Sequence, residues 1–268
     1  MLGKLFKYEF KACGRVIFPI FGAAIIMSIM AALSLAITPS KVTSTSQAVI
    51  GVLISLVMVV FVFLLFTSML LSFIFAIRRF KVNLLGKEGY LMNTLPVSPL
   101  SNVMAKLLCS LVFQILSVIV AIICILLCTV LSNKEYISEA FEAVGDIFSA
   151  LMQLSASGWL NLILVILLMV VSVIKSYSMI YSAMSMGYSF NKCKALISIG
   201  LVIAFSTVES IITTLISRDG IEYYFNNVEQ YKSAFALSLL ASILFQAIFA
   251  SIYTALTTFF LKRRLNLE

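Results

Sequence analysis

From Val42 to Ile77 the chain carries no Asp, Glu, Lys or Arg. That run is longer than the roughly 20 residues that take an α-helix across a ~30 Å hydrocarbon core. A backbone in hydrocarbon must satisfy its own polar groups, so the run predicts a helix, and its surplus length predicts tilt or projection beyond the bilayer. Five more runs of spanning length accompany it. The expected spans are residues 16–37, 52–77, 107–131, 159–187, 195–217 and 234–261, the fourth and fifth interrupted only by Lys175 and Glu209. Overall 62% of the residues are hydrophobic and 11% charged, against ~45–50% and ~25% in soluble domains. The fold class expected is an all-α integral membrane protein with six transmembrane helices forming one membrane domain.

The net charge of +8 does not point to nucleic acid, because the basic residues lie between apolar runs instead of forming a stripe. Their placement is topological. Fourteen of the nineteen Lys and Arg fall at the two termini and in the second and fourth connections, and Lys175 lies in the inner half of the fourth span. The positive-inside rule then puts both termini and those connections in the cytoplasm. Residues 1–15 set Leu2, Leu5, Phe6 and Cys13 on one helical face and Lys4, Lys7, Lys11 and Arg15 on another. This predicts an amphipathic helix in the membrane interface, ahead of a six-helix domain over 16–268. Ser34-Leu35-Ala36 resembles a small-residue cleavage site, but the amphipathic order of the basic segment speaks for an uncleaved start. The acidic connection 132–157, with Glu135, Glu139, Glu142 and Asp146, reads as a surface helix against the outer leaflet. Residues 218–233, rich in tyrosine, face the same side.

No histidine is present, which removes the usual general base and the usual metal ligand. Cys13, Cys109, Cys124, Cys128 and Cys193 read as small buried hydrophobes, not as disulfides or zinc ligands. The chain is therefore expected to be no enzyme, and to bind no metal or cofactor of its own. Glu209 stands among Ser206, Thr207 and Thr213, and an ionisable residue inside a span is costly enough to suggest function. Two readings stay open for it: a polar face toward a transport path, or a packing carboxyl. Lys175 is expected to snorkel toward the headgroups.

Between the second and third runs lies a polar island, Lys87-Glu88-Gly89-Tyr90-Leu91-Met92-Asn93-Thr94-Leu95-Pro96-Val97-Ser98. A short helix over about 87–95 would stop before Pro96, which disfavours the α conformation at Leu95. Leu91, Met92 and Leu95 would form a small apolar face on it. An ordinary solvated loop fits as well as a handle for a partner protein. Ser98-Pro99 then reads as an N-cap followed by proline at the first helical position.

An interfacial first helix, six spans, and Gly86-Lys87-Glu88-Gly89-Tyr90-Leu91 leading through Leu95-Pro96-Val97-Ser98 to Lys106 resemble the permease subunits of ABC-2 type exporters. The wording is especially similar to short Gram-positive permeases, some of whose relatives export amphipathic or antimicrobial peptides. The resemblance implies a coupling helix built from Glu88, Gly89, Tyr90, Leu91, Met92, Leu95 and Pro96, docked on a separate P-loop ATPase that carries the ATP and Mg. It implies two ATPase copies and a second permease copy or paralogue. An outer gate would follow span five, with Tyr223, Tyr224 and Phe225 as candidates. The chain itself has no G-x-x-x-x-G-K-[ST] phosphate loop. The expectation is thus an ATP-driven export permease surrounded by membrane lipids. The alternative is a secondary transporter with Glu209 as an ion or proton site.

Overall fold

In the computed structural model the described residues are 2–36, 44–86, 89, 97–132, 142, 145–146, 148–190, 193–226 and 231–263, with the side chains of 44–48, 216–226, 231–234 and 263 set aside. They form helices and turns without a strand. We label the long helices α1 (Leu2–Ala36), α2 (Ser44–Phe80), α3 (Pro99–Ser132), α4 (Ala156–Gly187), α5 (Lys194–Asn226) and α6 (Tyr231–Arg263). Each of the six is long and apolar enough to cross a membrane. The last five spans expected from sequence fall inside α2 to α6, and the first, 16–37, overlaps α1 up to Ala36, residue 37 lying outside the described residues.

Why these helices need apolar surroundings is visible on α2, where Val52, Leu53, Val59, Val62, Phe63 and Phe66 are all more than half exposed. A continuous apolar face of that length would be untenable in water. The helix ends in a π-helical turn, Lys81–Leu85. Residues 148–152 of the acidic connection are helical, and Phe148 and Met152 are exposed. Residues 133–141 of that connection lie outside the description.

Helix starts follow the capping chemistry in the sequence. Ser98 accepts the backbone N–H of Ser101 at 3.3 Å, and Pro99 opens α3 at a position where no N–H is needed. Ser155 does the same for α4, accepting from the N–H of Gly158 at 3.3 Å.

The first helix differs from expectation. The sequence separates an interfacial segment before residue 15 from a span after it, whereas α1 continues unbroken from Leu2 to Ala36. Gly14 lowers helix propensity by only about 1 kcal/mol and does not interrupt it. Lys4, Lys7, Lys11 and Arg15 are exposed along the first turns of this single helix, while Glu9 and Cys13 are buried.

The chain divides into two compact units. The unit made of residues 7–75 and 112–154 is held by small side chains: Ala24, Ala31 and Ala32 of α1 meet Phe61 of α2 and Cys124 and Cys128 of α3. Close backbone approach through small residues is how helices gain van der Waals contact where lipid tails are as apolar as the helices themselves. Phe10 stacks on Phe113 with centroids 4.9 Å apart.

The other unit comprises residues 1–6, 76–111 and 155–268. Leu164 of α4 packs against Leu239 and Ile243 of α6. Lower on α4, Tyr181 is buried and stacked flat on Phe80, centroids 4.0 Å apart and planes 5° from parallel. At the α4–α5 corner Gly187 leaves no room for a side chain: an added Cβ would sit 2.8 Å from the Ser198 nitrogen and 3.0 Å from the Lys194 carbonyl. Cys193, just before α5, has φ 55° and is exposed, unlike the other four cysteines, which are buried and free as expected.

Candidate functional site

Glu209 lies in the middle of α5, buried among α4, α5 and α6. Its two carboxylate oxygens are held by different helices. The Lys175 ammonium of α4 donates to Oε2 at 2.9 Å, and the Tyr253 hydroxyl of α6 donates to Oε1 at 3.0 Å. Tyr253 is itself fixed by Phe205 of α5 and Phe249 of α6, with ring centroids 5.2 and 6.0 Å away. One turn along α5, Thr213 donates its hydroxyl to the Glu209 backbone carbonyl at 2.8 Å.

This arrangement corrects the expectation for Lys175. A snorkelling lysine would extend along its own helix toward an end about 18 Å away, but Lys175 turns across to α5 instead. The reason is electrostatic: a carboxylate one helix over attracts the ammonium at hydrogen-bond distance.

Beside the pair opens a cavity of about 430 Å3, lined by Lys175, Glu209, Thr213, Ser242, Phe245 and Gln246, with Ala241 at its wall. The Gln246 side-chain oxygen is buried and accepts no hydrogen bond from the described residues. Ser242 donates its hydroxyl to the Ser238 carbonyl at 2.9 Å, so toward the cavity it can only accept.

No family model, curated protein or solved structure matches this chain. Its site is therefore read from its own chemistry. Among the four residues singled out in span five, the structure joins Glu209 and Thr213 at the cavity. Ser206 and Thr207 are exposed and donate to the carbonyls of Ile203 and Ala204 on their own helix at 2.9 and 2.8 Å. Tyr223, Tyr224 and Phe225 belong to the last turns of α5, and their side chains lie outside the description. So do Glu88, Tyr90, Leu91, Met92, Leu95 and Pro96. Gly89 is buried and donates its N–H to the Gly86 carbonyl at 2.9 Å.

Sequence reasoning missed Tyr253, Gln246 and Ser242. A signal was present: Gln246 is the one carboxamide between Phe235 and Lys262, and Ser242, Gln246 and Tyr253 recur at four and seven residues, on one face of α6.

Proposed function

We propose that this chain is the membrane-spanning permease subunit of an ATP-driven exporter of the ABC-2 kind, moving amphipathic peptides out of a bacterial cell. The observation that carries a transport reading is the Lys175–Glu209 pair held in mid-helix beside a cavity, within segments otherwise apolar. Burying two charges in that setting is costly even when they are paired, and a chain that only needed six packed helices would do better with apolar side chains there. A partly polar cavity at the same depth gives the charges something to act on.

The exporter reading adds the pattern of residues 86–106, with its implied coupling helix. In this reading both termini and the second and fourth connections are cytoplasmic, a second permease completes the path, and two P-loop ATPases bind ATP and Mg. The chain contributes no catalytic residue. A secondary transporter using Glu209 is the competing reading, favoured by the carboxylate's depth. Against it stands Lys175, a resident cation 2.9 Å from the carboxylate, which any transported cation would have to displace.

The deciding experiment is affinity purification of the chain from its native membrane. A co-purifying P-loop ATPase is expected, and Leu91→Asp with Leu95→Asp should release it while leaving the helix content unchanged. Full association and cargo-stimulated hydrolysis in that double variant would remove the coupling assignment. Absence of any ATPase from the wild-type preparation, with transport intact, would favour the secondary transporter.

A further inference from the structure

We propose that the outward ridge of α1 formed by Lys7, Lys11 and Arg15 binds the headgroups of anionic phospholipids. The three cations follow one another at four-residue spacing, which stacks them on one side of a helix, and all three are exposed. No acid stands three or four positions from any of them. The single acid of α1, Glu9, is buried. Like charges at that spacing repel one another and weaken a helix, yet α1 runs through them unbroken. An anion along the ridge turns that repulsion into shared attraction.

What lies against the ridge follows from the face it belongs to. From Val16 onward the same outward side is apolar, with Val16, Phe18, Ile26, Met30 and Leu33 exposed. Val16 to Leu33 measures roughly 26 Å at 1.5 Å per residue, close to the ~30 Å hydrocarbon core. The change from Arg15 to Val16 therefore marks the hydrocarbon boundary, and a lipid whose tails cover Val16 and Phe18 carries its phosphate beside Arg15. Charge selects the lipid. A zwitterionic headgroup brings its own cation, whereas an anionic one answers a ridge of basic residues that has no acid to balance it. The Arg15 guanidinium can meet a phosphate with two parallel N–H donors.

Distance along the axis grades the three cations. At 1.5 Å per residue Lys11 stands roughly 6 Å and Lys7 roughly 12 Å beyond Arg15, against a screening length of about 8 Å at physiological salt. Arg15 should dominate the lipid preference, and Lys7 should add least. The inference rests on α1 crossing a membrane and not on the exporter reading.

The test replaces Val16 by the photoreactive p-benzoylphenylalanine in the full chain. Nanodiscs hold equal parts phosphatidylglycerol and phosphatidylcholine with matched acyl chains, and lipid adducts are counted by intact-protein mass spectrometry. At low salt, phosphatidylglycerol adducts should exceed phosphatidylcholine adducts by about fivefold or more, the gain expected of even one cation at an anionic surface. Arg15→Gln should lower that ratio most and Lys7→Gln least. Lys7→Gln, Lys11→Gln and Arg15→Gln together should bring it near one. The same probe at Met30 instead, roughly 21 Å along the axis, should also give a ratio near one. Sodium chloride at about 1 M, which shortens the screening length to about 3 Å, should lower the Val16 ratio with the ridge intact. Circular dichroism and size exclusion verify each variant, and the salt arm decides if the triple variant fails to fold. Equal adducts at Val16, a ratio undiminished in the folded triple variant or in high salt, or the same preference at Met30 would each overturn the proposal. So would a protein as the main adduct at Val16 in native membranes, because a polypeptide would then occupy the ridge.

Discussion

Replacing Lys175 by methionine keeps the length of the side chain and removes its charge, leaving the Glu209 carboxylate buried with Tyr253 as its remaining side-chain donor. At an effective dielectric of about 20, opposite unit charges 2.9 Å apart attract by about 6 kcal/mol. Much of that is offset by the cost of taking both ions out of water, so the intact pair contributes far less on balance. Breaking a buried pair from one side is another matter, because the desolvation cost of the survivor stays while its compensation goes, typically about 3–5 kcal/mol. The side chains of Lys175 and Glu209 retain 21% and 12% exposure, which puts the expected loss near the lower figure, about 3 kcal/mol. Glu209→Gln should cost less, since the neutral amide still accepts from Tyr253 and the lysine can reorient. The double variant should cost little more than the worse single one, giving a coupling energy of about 2 kcal/mol. The assay is reversible unfolding in mixed micelles with increasing sodium dodecyl sulfate, followed by far-ultraviolet circular dichroism, for wild type, both singles and the double. Additivity within about 0.5 kcal/mol would show that the two charges do not sense each other and would refute the reasoning.

Tyr253→Phe removes one donor from the same carboxylate but keeps the ring against Phe205 and Phe249; a loss of about 1.5–3 kcal/mol in the same unfolding assay is expected. Gly187→Ala forces a methyl against the Ser198 and Lys194 backbone, and should lower stability by about 1–3 kcal/mol. Gly200→Ala, where a Cβ meets nothing within 4 Å, is the control and should be neutral or slightly stabilising. Cys193, alone exposed among the cysteines, should be the native thiol that reacts with a maleimide in the folded protein. With an impermeant maleimide on intact cells Cys193 should stay unlabelled until lysis, whereas Asp146→Cys in a cysteine-free background should label from outside; the reverse pattern would invert the topology proposed here.

How far the sequence carries follows from what kind of interaction each feature rests on. The helices were legible because their determinants are local: uncharged length, and the Ser98-Pro99 start that the structure reproduces bond for bond. Glu209 was legible as an oddity, since a carboxylate in an apolar run stands out by itself. Its partners were not, because Lys175 lies 34 positions and Tyr253 44 positions away, and helix periodicity fixes which face a residue occupies without fixing which helix that face meets. The reading of Lys175 failed for this reason: considered on its own helix, a lysine in a span has only an end to reach for. The boundary drawn at residue 15 between interfacial helix and span leaves no interruption in α1. Amphipathic order marks a surface, and it does not by itself mark where a helix stops.

The serines of α4 carry a mechanical consequence. Ser176, Ser178, Ser182 and Ser185 each donate to a carbonyl three or four residues back on their own helix. Hydroxyls engaged inward in this way make the helix slim and smooth. They spend no hydrogen bond on a neighbour. Such a surface resists separation through close contact but offers little resistance to sliding or rolling, because no directional bond must break as the neighbour moves past. The Lys175–Glu209–Tyr253 junction is the opposite kind of contact, directional and tied to all three helices at one depth. Motion of α4, α5 and α6 past one another would then turn about that junction as rods turn about a pin, with large excursions at the helix ends and small ones beside the cavity.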